Sequence, residues 1–118
     1  MTLTVYGIPS CGTVKKARAW LTGARRPHTF VDLRDTPPSA AQIAAWVARF
    51  GSKAMRNTSG GSYRALGEAK DRWTDAEWIA AFTQDPMLLK RPIVERDGQP
   101  VIVGWALDDA EIAIRLGG

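Results

Sequence analysis

Residues 3–32, which read LTVYGIPSCGTVKKARAWLTGARRPHTFVD, decide the fold of this protein. Leu3–Tyr6 is a short β-branched and aromatic run followed by glycine and proline, which predicts a buried strand that ends in a turn. From Cys11 onward the apolar residues recur at the spacing of a helix instead. The apolar stripe of this helix consists of Val14, Ala17, Leu21 and Ala24. Pro27 ends the helix, and residues 28–32 are predicted to form a second strand parallel to the first.

The middle of the chain, from Ser39 to Leu89, is predicted to be helical. Ser39 is followed at capping-box spacing by a glutamine, and Thr74 by a glutamate, which is typical of helix N-termini. Two tryptophans flank Thr74 at the positions of a hydrophobic staple. The buried face predicted for the first of these helices consists of Ile43, Trp46, Val47 and Phe50.

The last part of the chain returns to strands. Pro92–Arg96 and Gln99–Val103 flank Asp97-Gly98, a dipeptide typical of a tight β-hairpin, and Asp108 begins a final helix. This order of elements predicts an α/β protein with a four-stranded mixed sheet, the arrangement of the thioredoxin fold. We therefore expect a single thioredoxin-like domain over residues 1–118, with a helical insertion at about 38–89 between the second and third strands.

Length and composition fit one ordinary globular domain, with 118 residues of which 45% are apolar and 24% charged. No apolar run approaches the roughly 20 residues of a membrane span. The N-terminal residues also lack the basic region and cleavage site of a signal peptide, so we expect a cytoplasmic protein that does not bind membranes. The net charge of +4 favours anionic partners. The tryptophans stand at positions typical of core residues, so nucleic-acid binding is not predicted.

Cys11 is the only cysteine, which excludes an internal disulfide, a Cys-rich zinc site and a Cys-x-x-Cys redox pair. Histidine and the acidic residues also lack metal-ligand spacing, so neither a metal nor a bound cofactor is predicted. The position of Cys11 at the start of a helix favours a reactive thiolate, because the N–H groups and dipole there stabilise negative charge. The competing interpretation is an inert cysteine that only packs in the core.

Several stretches resemble one known family. The sequences YGIPSCGTVKKA at 6–17, LKRPI at 89–93 and VGW at 103–105 resemble the arsenate-reductase-like (ArsC/Spx/YffB) family. The sequence NTSG at 57–60 is similar to the middle motif of its YffB-like branch. The resemblance implies a thioredoxin-like domain with a helical insertion, in which a cysteine thiolate at a helix N-terminus reacts with glutathione mixed disulfides or with oxyanions.

The resemblance also implies roles for particular residues. Cys11 matches the nucleophile of the family, Arg91 an anion-binding arginine, and Pro92 the cis-proline that faces the thiol. The other candidate positions for binding the substrate or its anionic groups are Gly12, Thr13, Lys15, Arg56 and Ser59.

Two positions depart from the pattern of the relatives that reduce arsenate. Many relatives carry an arginine where Ser59 stands, and Arg56 or Arg64 is a candidate to take over its contacts. Arsenate reductases of this group also resemble one another in an arginine late in the final hairpin, and residues 99–103 contain none. These departures favour a general thiol reductase over an arsenate reductase.

We therefore predict a glutathione-dependent thiol–disulfide reductase that uses one cysteine. Glutathione would be its reductant or co-substrate, and its partners would be glutathionylated substrates or an oxyanion such as arsenate. Three alternatives stay open: an arsenate reductase proper, an Spx-like regulatory module that binds RNA polymerase, and a domain with an idle thiol. Spx-like relatives sense redox state through a Cys-x-x-Cys pair, and Val14 occupies the place of the second cysteine here.

Overall fold

The computed structural model describes residues 1–117. Its strands are β1 (Leu3–Gly7), β2 (Thr29–Asp32), β3 (Ile93–Arg96) and β4 (Gln99–Val103). Its α-helices are α1 (Gly12–Gly23), α2 (Ala40–Phe50), α3 (Gly61–Arg64), α4 (Asp75–Gln84) and α5 (Asp109–Arg115), and 3₁₀ turns occupy Glu68–Arg72 and Pro86–Leu88. No helix within residues 1–117 has the length and apolar character needed to cross a membrane.

The chain forms two compact units. The first contains Met1–Asp32 and the segment that begins at Arg91, and the second is Leu33–Lys90. All four strands belong to the first unit, and α2, α3 and α4 belong to the second. The helices expected between the second and third strands are therefore present. That the chain is a single domain stays a prediction.

The sheet of the first unit has the strand order β2-β1-β3-β4. β1 pairs in parallel with β2 and antiparallel with β3, so that Val5 lies opposite both Phe30 and Val94. β3 and β4 form the predicted hairpin, and its turn residues Asp97 and Gly98 both have positive φ, at 51° and 80°. These are the angles that a type I′ turn requires. The predicted four-stranded mixed sheet is confirmed.

The core of the first unit is built from strands β1, β3 and β4 and from helices α1 and α5. Its buried members, each at most 3% exposed, are Leu3, Val5, Leu21, Val94, Ile102, Ile112 and Leu116. The predicted buried stripe of α1 is confirmed for its first three residues, but Ala24 is exposed. The helix ends at Gly23, and Arg25 follows with a φ of 57°, so Ala24 lies beyond the last turn rather than on the packed face.

Local capping explains where helices α2 and α4 of the second unit begin. The Ser39 hydroxyl accepts a hydrogen bond from the Gln42 N–H at 3.1 Å, and Thr74 forms a complete capping box. Around Thr74 the predicted staple is present, since the Trp73 and Trp78 rings meet edge to face at 4.9 Å. The predicted buried face of α2 is confirmed for Ile43, Trp46 and Val47. Phe50 is only half-buried, because it is the last residue of the helix.

Gly7 lies where α1 packs against β1, and a Cβ there would stand 2.6 Å from Cγ2 of Val14. We expect Gly7→Ala to lower the free energy of unfolding by about 1–3 kcal/mol, the usual cost of overpacking a core. Gly23→Ala is the matched control, because a Cβ there would meet nothing within 4 Å. Denaturant unfolding followed by tryptophan fluorescence measures both changes. Equal stabilities of the two variants would contradict the close approach of α1 to β1.

Candidate functional site

Cys11 is the N-cap residue of α1, with extended backbone angles of φ −77° and ψ 122°. Its N–H donates to the Ile8 carbonyl at 3.2 Å, which closes the turn after β1. Its own carbonyl accepts from the Lys15 N–H at 3.0 Å, which begins the helical hydrogen bonds. The sequence therefore changes from strand to helix at the half-buried thiol.

The environment of Cys11 lowers the pKa of its thiol below the ordinary value. Burial acts in the opposite direction and is the largest single effect, because it disfavours the charged thiolate. The backbone N–H groups of Val14 and Thr13 and the side chain of Arg91 lower the pKa through hydrogen bonding to the thiolate, and Arg91 adds its positive charge. These contacts together outweigh burial. The predicted helix N-terminus thus supplies two donors, from the second and third residues of α1, as N-cap geometry allows.

Strand pairing accounts for the presence of Arg91 beside the thiol. Because Tyr6 lies opposite Ile93 in the antiparallel β1–β3 pair, the residues just before Ile93 come alongside the turn that follows β1. The Arg91–Pro92 peptide bond is cis, as the family resemblance implied. The Pro92 carbonyl accepts a hydrogen bond of 2.8 Å from the N–H of Gly104, at the end of β4. The VGW stretch therefore contacts the segment that carries Arg91.

The other predicted residues of the first unit lie at the beginning of α1. Gly12, Thr13 and Lys15 are all exposed. A Cβ at Gly12 would meet nothing within 4 Å, so there is open space at the residue that follows Cys11. Thr13 acts on the sulfur through its backbone N–H. The causes of the lowered Cys11 pKa do not include Lys15.

Arg56 belongs to the second unit, where it is half-buried against an aromatic side chain. Its guanidinium carbon lies 4.1 Å from the ring centre of the fully buried Trp78, and its Nη2 donates to the Ser52 hydroxyl at 3.0 Å. Sequence reasoning missed both contacts, because no sequence pattern links Arg56 to Trp78 or to Ser52. A role for Arg56 in binding anions stays a prediction.

Ser59 also belongs to the second unit and is exposed. Its hydroxyl donates to Oδ1 of Asn57 at 3.3 Å, and its carbonyl accepts from Nη1 of Arg64 at 2.9 Å. The NTSG stretch is therefore a turn held by its own polar groups. A role for Ser59 in substrate binding stays a prediction.

Comparison with known proteins adds a further observation. The model of the ArsC family matches residues 6–113, which is most of the chain. This chain belongs to the ArsC family. The predicted resemblance is confirmed, and with it the thioredoxin-like α/β fold, which the solved structures of this family share with the present sheet.

The relatives of this ArsC-family chain include both uncharacterised proteins and arsenate reductases. It is 35% identical over 115 residues to the uncharacterised protein YusI of Bacillus subtilis, which covers 94% of this chain and 97% of YusI. It is 30% identical over 94 residues to an arsenate reductase of Escherichia coli, covering 78% of this chain and 67% of that enzyme. The solved structure of a YffB protein matches 98% of this chain and all of its own, at 31% identity and a TM-score of 0.85.

The lowered pKa of Cys11 is directly measurable. The rate of alkylation by iodoacetamide should rise with pH around a midpoint below the value of about 8.5 of a free thiol. Arg91→Ala should move this midpoint upward, because it removes both a hydrogen bond to the thiolate and a positive charge. Arg72→Ala, which removes an exposed arginine of the second unit, is the matched control and should leave the midpoint unchanged. A wild-type midpoint at or above that of a free thiol would contradict the described environment.

Proposed function

We propose that this ArsC-family protein is a glutathione-dependent thiol–disulfide reductase whose nucleophile is the Cys11 thiolate. The observation that carries the proposal is the lowered thiol pKa, caused by two helix N-terminal N–H groups and by Arg91. The thiolate is the attacking form in thiol–disulfide exchange, and a lowered pKa increases the fraction of the thiol in that form. The similarity to arsenate reductases supports an oxidoreductase activity. We further propose that Cys11 is its nucleophile and that glutathione is its reductant.

The reaction has two exchange steps. In the first, the Cys11 thiolate attacks the glutathione sulfur of a mixed disulfide, the substrate leaves as a thiolate, and a Cys11–glutathione disulfide forms. In the second, a thiolate of reduced glutathione attacks the sulfur of that bound glutathione, which releases oxidised glutathione and restores the Cys11 thiolate. The second thiol must come from outside, because Cys11 is the only cysteine of the chain. In total, one mixed disulfide and one reduced glutathione are consumed, and one reduced substrate and one oxidised glutathione are produced.

The groups around Cys11 have distinct tasks in this proposal. Arg91 stabilises the attacking thiolate and binds a carboxylate of glutathione, since a guanidinium presents a fork of donors to such a group. The exposed first turn of α1, with Gly12, Thr13 and Lys15, forms the surface on which glutathione rests. Pro92 holds Arg91 at the start of β3.

Arsenate reduction is the second candidate function. It is supported by the 30% identity to the arsenate reductase of Escherichia coli. The Cys11 thiolate would then attack arsenic and displace one arsenate oxygen as water, with Arg91 binding the oxyanion. Two reduced glutathione molecules would supply the two electrons that convert arsenate to arsenite, and they would leave as oxidised glutathione. Arsenate-dependent oxidation of reduced glutathione, absent in Cys11→Ser, would favour this candidate.

Intact mass measurement tests the first candidate function. Oxidised glutathione should add one glutathionyl group to the protein and none to Cys11→Ser, because the thiolate displaces one glutathione from the disulfide. Reduced glutathione should then remove the group. A folded wild-type protein that gains no glutathione would contradict the proposal and would favour an idle thiol.

Steady-state kinetics test the role of Arg91. The assay is run at a pH where Cys11 is deprotonated both in wild type and in Arg91→Ala. There, Arg91→Ala should raise the half-saturating concentration of glutathione about 10-fold or more, the usual loss for one hydrogen bond to a charged group. Arg91→Lys should restore only part of it, because lysine keeps the charge but not the fork of donors. The control Arg72→Ala should match wild type. An unchanged glutathione requirement in Arg91→Ala would remove Arg91 from the binding site.

A further inference from the structure

One face of α1 lines a shallow groove that begins at the turn of Cys11. Its first depression, of about 390 Å³, is lined by Pro9, Val14, Lys15, Arg18, Ala19 and Thr22. Its second, of about 410 Å³, is lined by Thr22, Arg25, Arg26, Pro27 and His28. The two depressions share Thr22 and are called here the α1 groove. All of these residues belong to the first unit.

The α1 groove is cationic along its length. Lys15, Arg18, Arg25 and Arg26 line it, and neither depression is lined by an aspartate or a glutamate. Within residues 1–117, the side chains of Lys15, Arg18 and Arg25 form no ion pair with a carboxylate. A row of cations without acidic partners produces a positive potential that attracts anionic ligands.

Arg18, in the middle of the groove, is held in place by the β2 side of the first unit. Its guanidinium carbon lies 4.3 Å from the ring centre of Phe30, and its Nε donates to Nε2 of His28 at 3.2 Å. Neither contact occupies the two terminal amino groups of Arg18. An arginine fixed in this way loses little conformational entropy when it binds a carboxylate.

The dimensions of the groove fit a peptide segment. From Lys15 to the end of α1 at Gly23 the helix rises about 12 Å, and Arg25 extends the cationic row further. An extended peptide covers this length with about four or five residues. The residues that line the groove include no tryptophan, tyrosine or phenylalanine, the side chains on which bases stack best, and Arg18 covers the nearby Phe30 ring. These features favour an acidic peptide over a nucleic acid.

We infer that the α1 groove binds an acidic segment of a glutathionylated protein substrate. This segment would lie next to the substrate cysteine whose disulfide with glutathione is attacked by Cys11. This inference rests on the proposed function, because it names the class of substrate that the thiol would reduce. The groove starts at the right place for this task, since the Lys15 N–H bonds directly to the carbonyl of Cys11. Substrates with glutamates or aspartates beside the modified cysteine would then be preferred.

Binding without chemistry tests the groove itself. In Cys11→Ser, fluorescence anisotropy compares a labelled peptide containing a run of glutamates with the same peptide containing glutamines. The glutamate peptide should bind about 10-fold more tightly at low salt, since several exposed ion pairs each contribute up to about five-fold in affinity. Equal affinities of the two peptides would overturn the inference. Equally tight binding of a single-stranded oligonucleotide would also overturn it.

Variants locate the binding to the groove. Arg18→Gln and Ala19→Glu should each weaken binding of the glutamate peptide about two- to five-fold, the range for one exposed ion pair. Ala19→Glu removes no native contact, because Ala19 is an exposed helix residue. Lys16→Gln is the matched control, since this exposed lysine of α1 does not line the groove. A loss in Lys16→Gln equal to that in both groove variants would show dependence on net charge alone and contradict the inference.

Turnover separates the groove from the proposed function. The wild-type protein is given glutathionylated cysteine versions of both peptides, and kcat/KM should be higher for the glutamate peptide and should fall in Ala19→Glu. If both peptides are reduced at the same rate and bind equally, the groove inference fails and the reductase function stands. If neither peptide is reduced but the binding preference persists, the reductase function fails and the α1 groove remains an acidic-peptide site.

Discussion

The antiparallel pairing of β1 with β3 is the constraint on which the rest of the site depends. Cys11 and Arg91 stand 80 positions apart in the sequence, and this pairing brings them into hydrogen-bond contact. Buried Val5 and Val94 face each other across the pair, so the register that packs the core also fixes the electrostatics of the thiol. A shift by one residue would turn Val94 away from the core, which makes the register costly to change.

The thiol is tuned by opposing effects of burial and hydrogen bonding. A half-buried sulfur loses solvation, which by itself favours the neutral form. The first N–H groups of α1, which have no hydrogen-bond partner within the helix, stabilise the thiolate, and Arg91 contributes a full positive charge. The same partial burial that opposes ionisation also strengthens the hydrogen bonds, because they form in a medium of lower dielectric constant.

Much of the fold was predictable because its signals are local. The Asp97-Gly98 turn, the Thr74 capping box and the stripe Val14, Ala17, Leu21 each depend on residues close in sequence. The site was predictable only in part. Cys11 was found from its place at a helix start, whereas Arg91 was found from a family resemblance, because its contact with the thiol depends on strand register rather than on any local pattern. The stacking of Arg56 on Trp78 was missed for the same reason, since it joins residues of two different segments.

Gly12, the residue after Cys11, is a position where packing places no restriction on side-chain size. Nothing in the packing of the first unit requires a glycine there, since an added Cβ would meet open space. A larger side chain at this position would be carried by the residue that follows Cys11, at the exposed first position of α1. Under the proposed function, selection at this codon would act on the range of accepted substrates at little cost in packing. A protein with such a position can acquire a new specificity in single mutational steps without first gaining stability elsewhere.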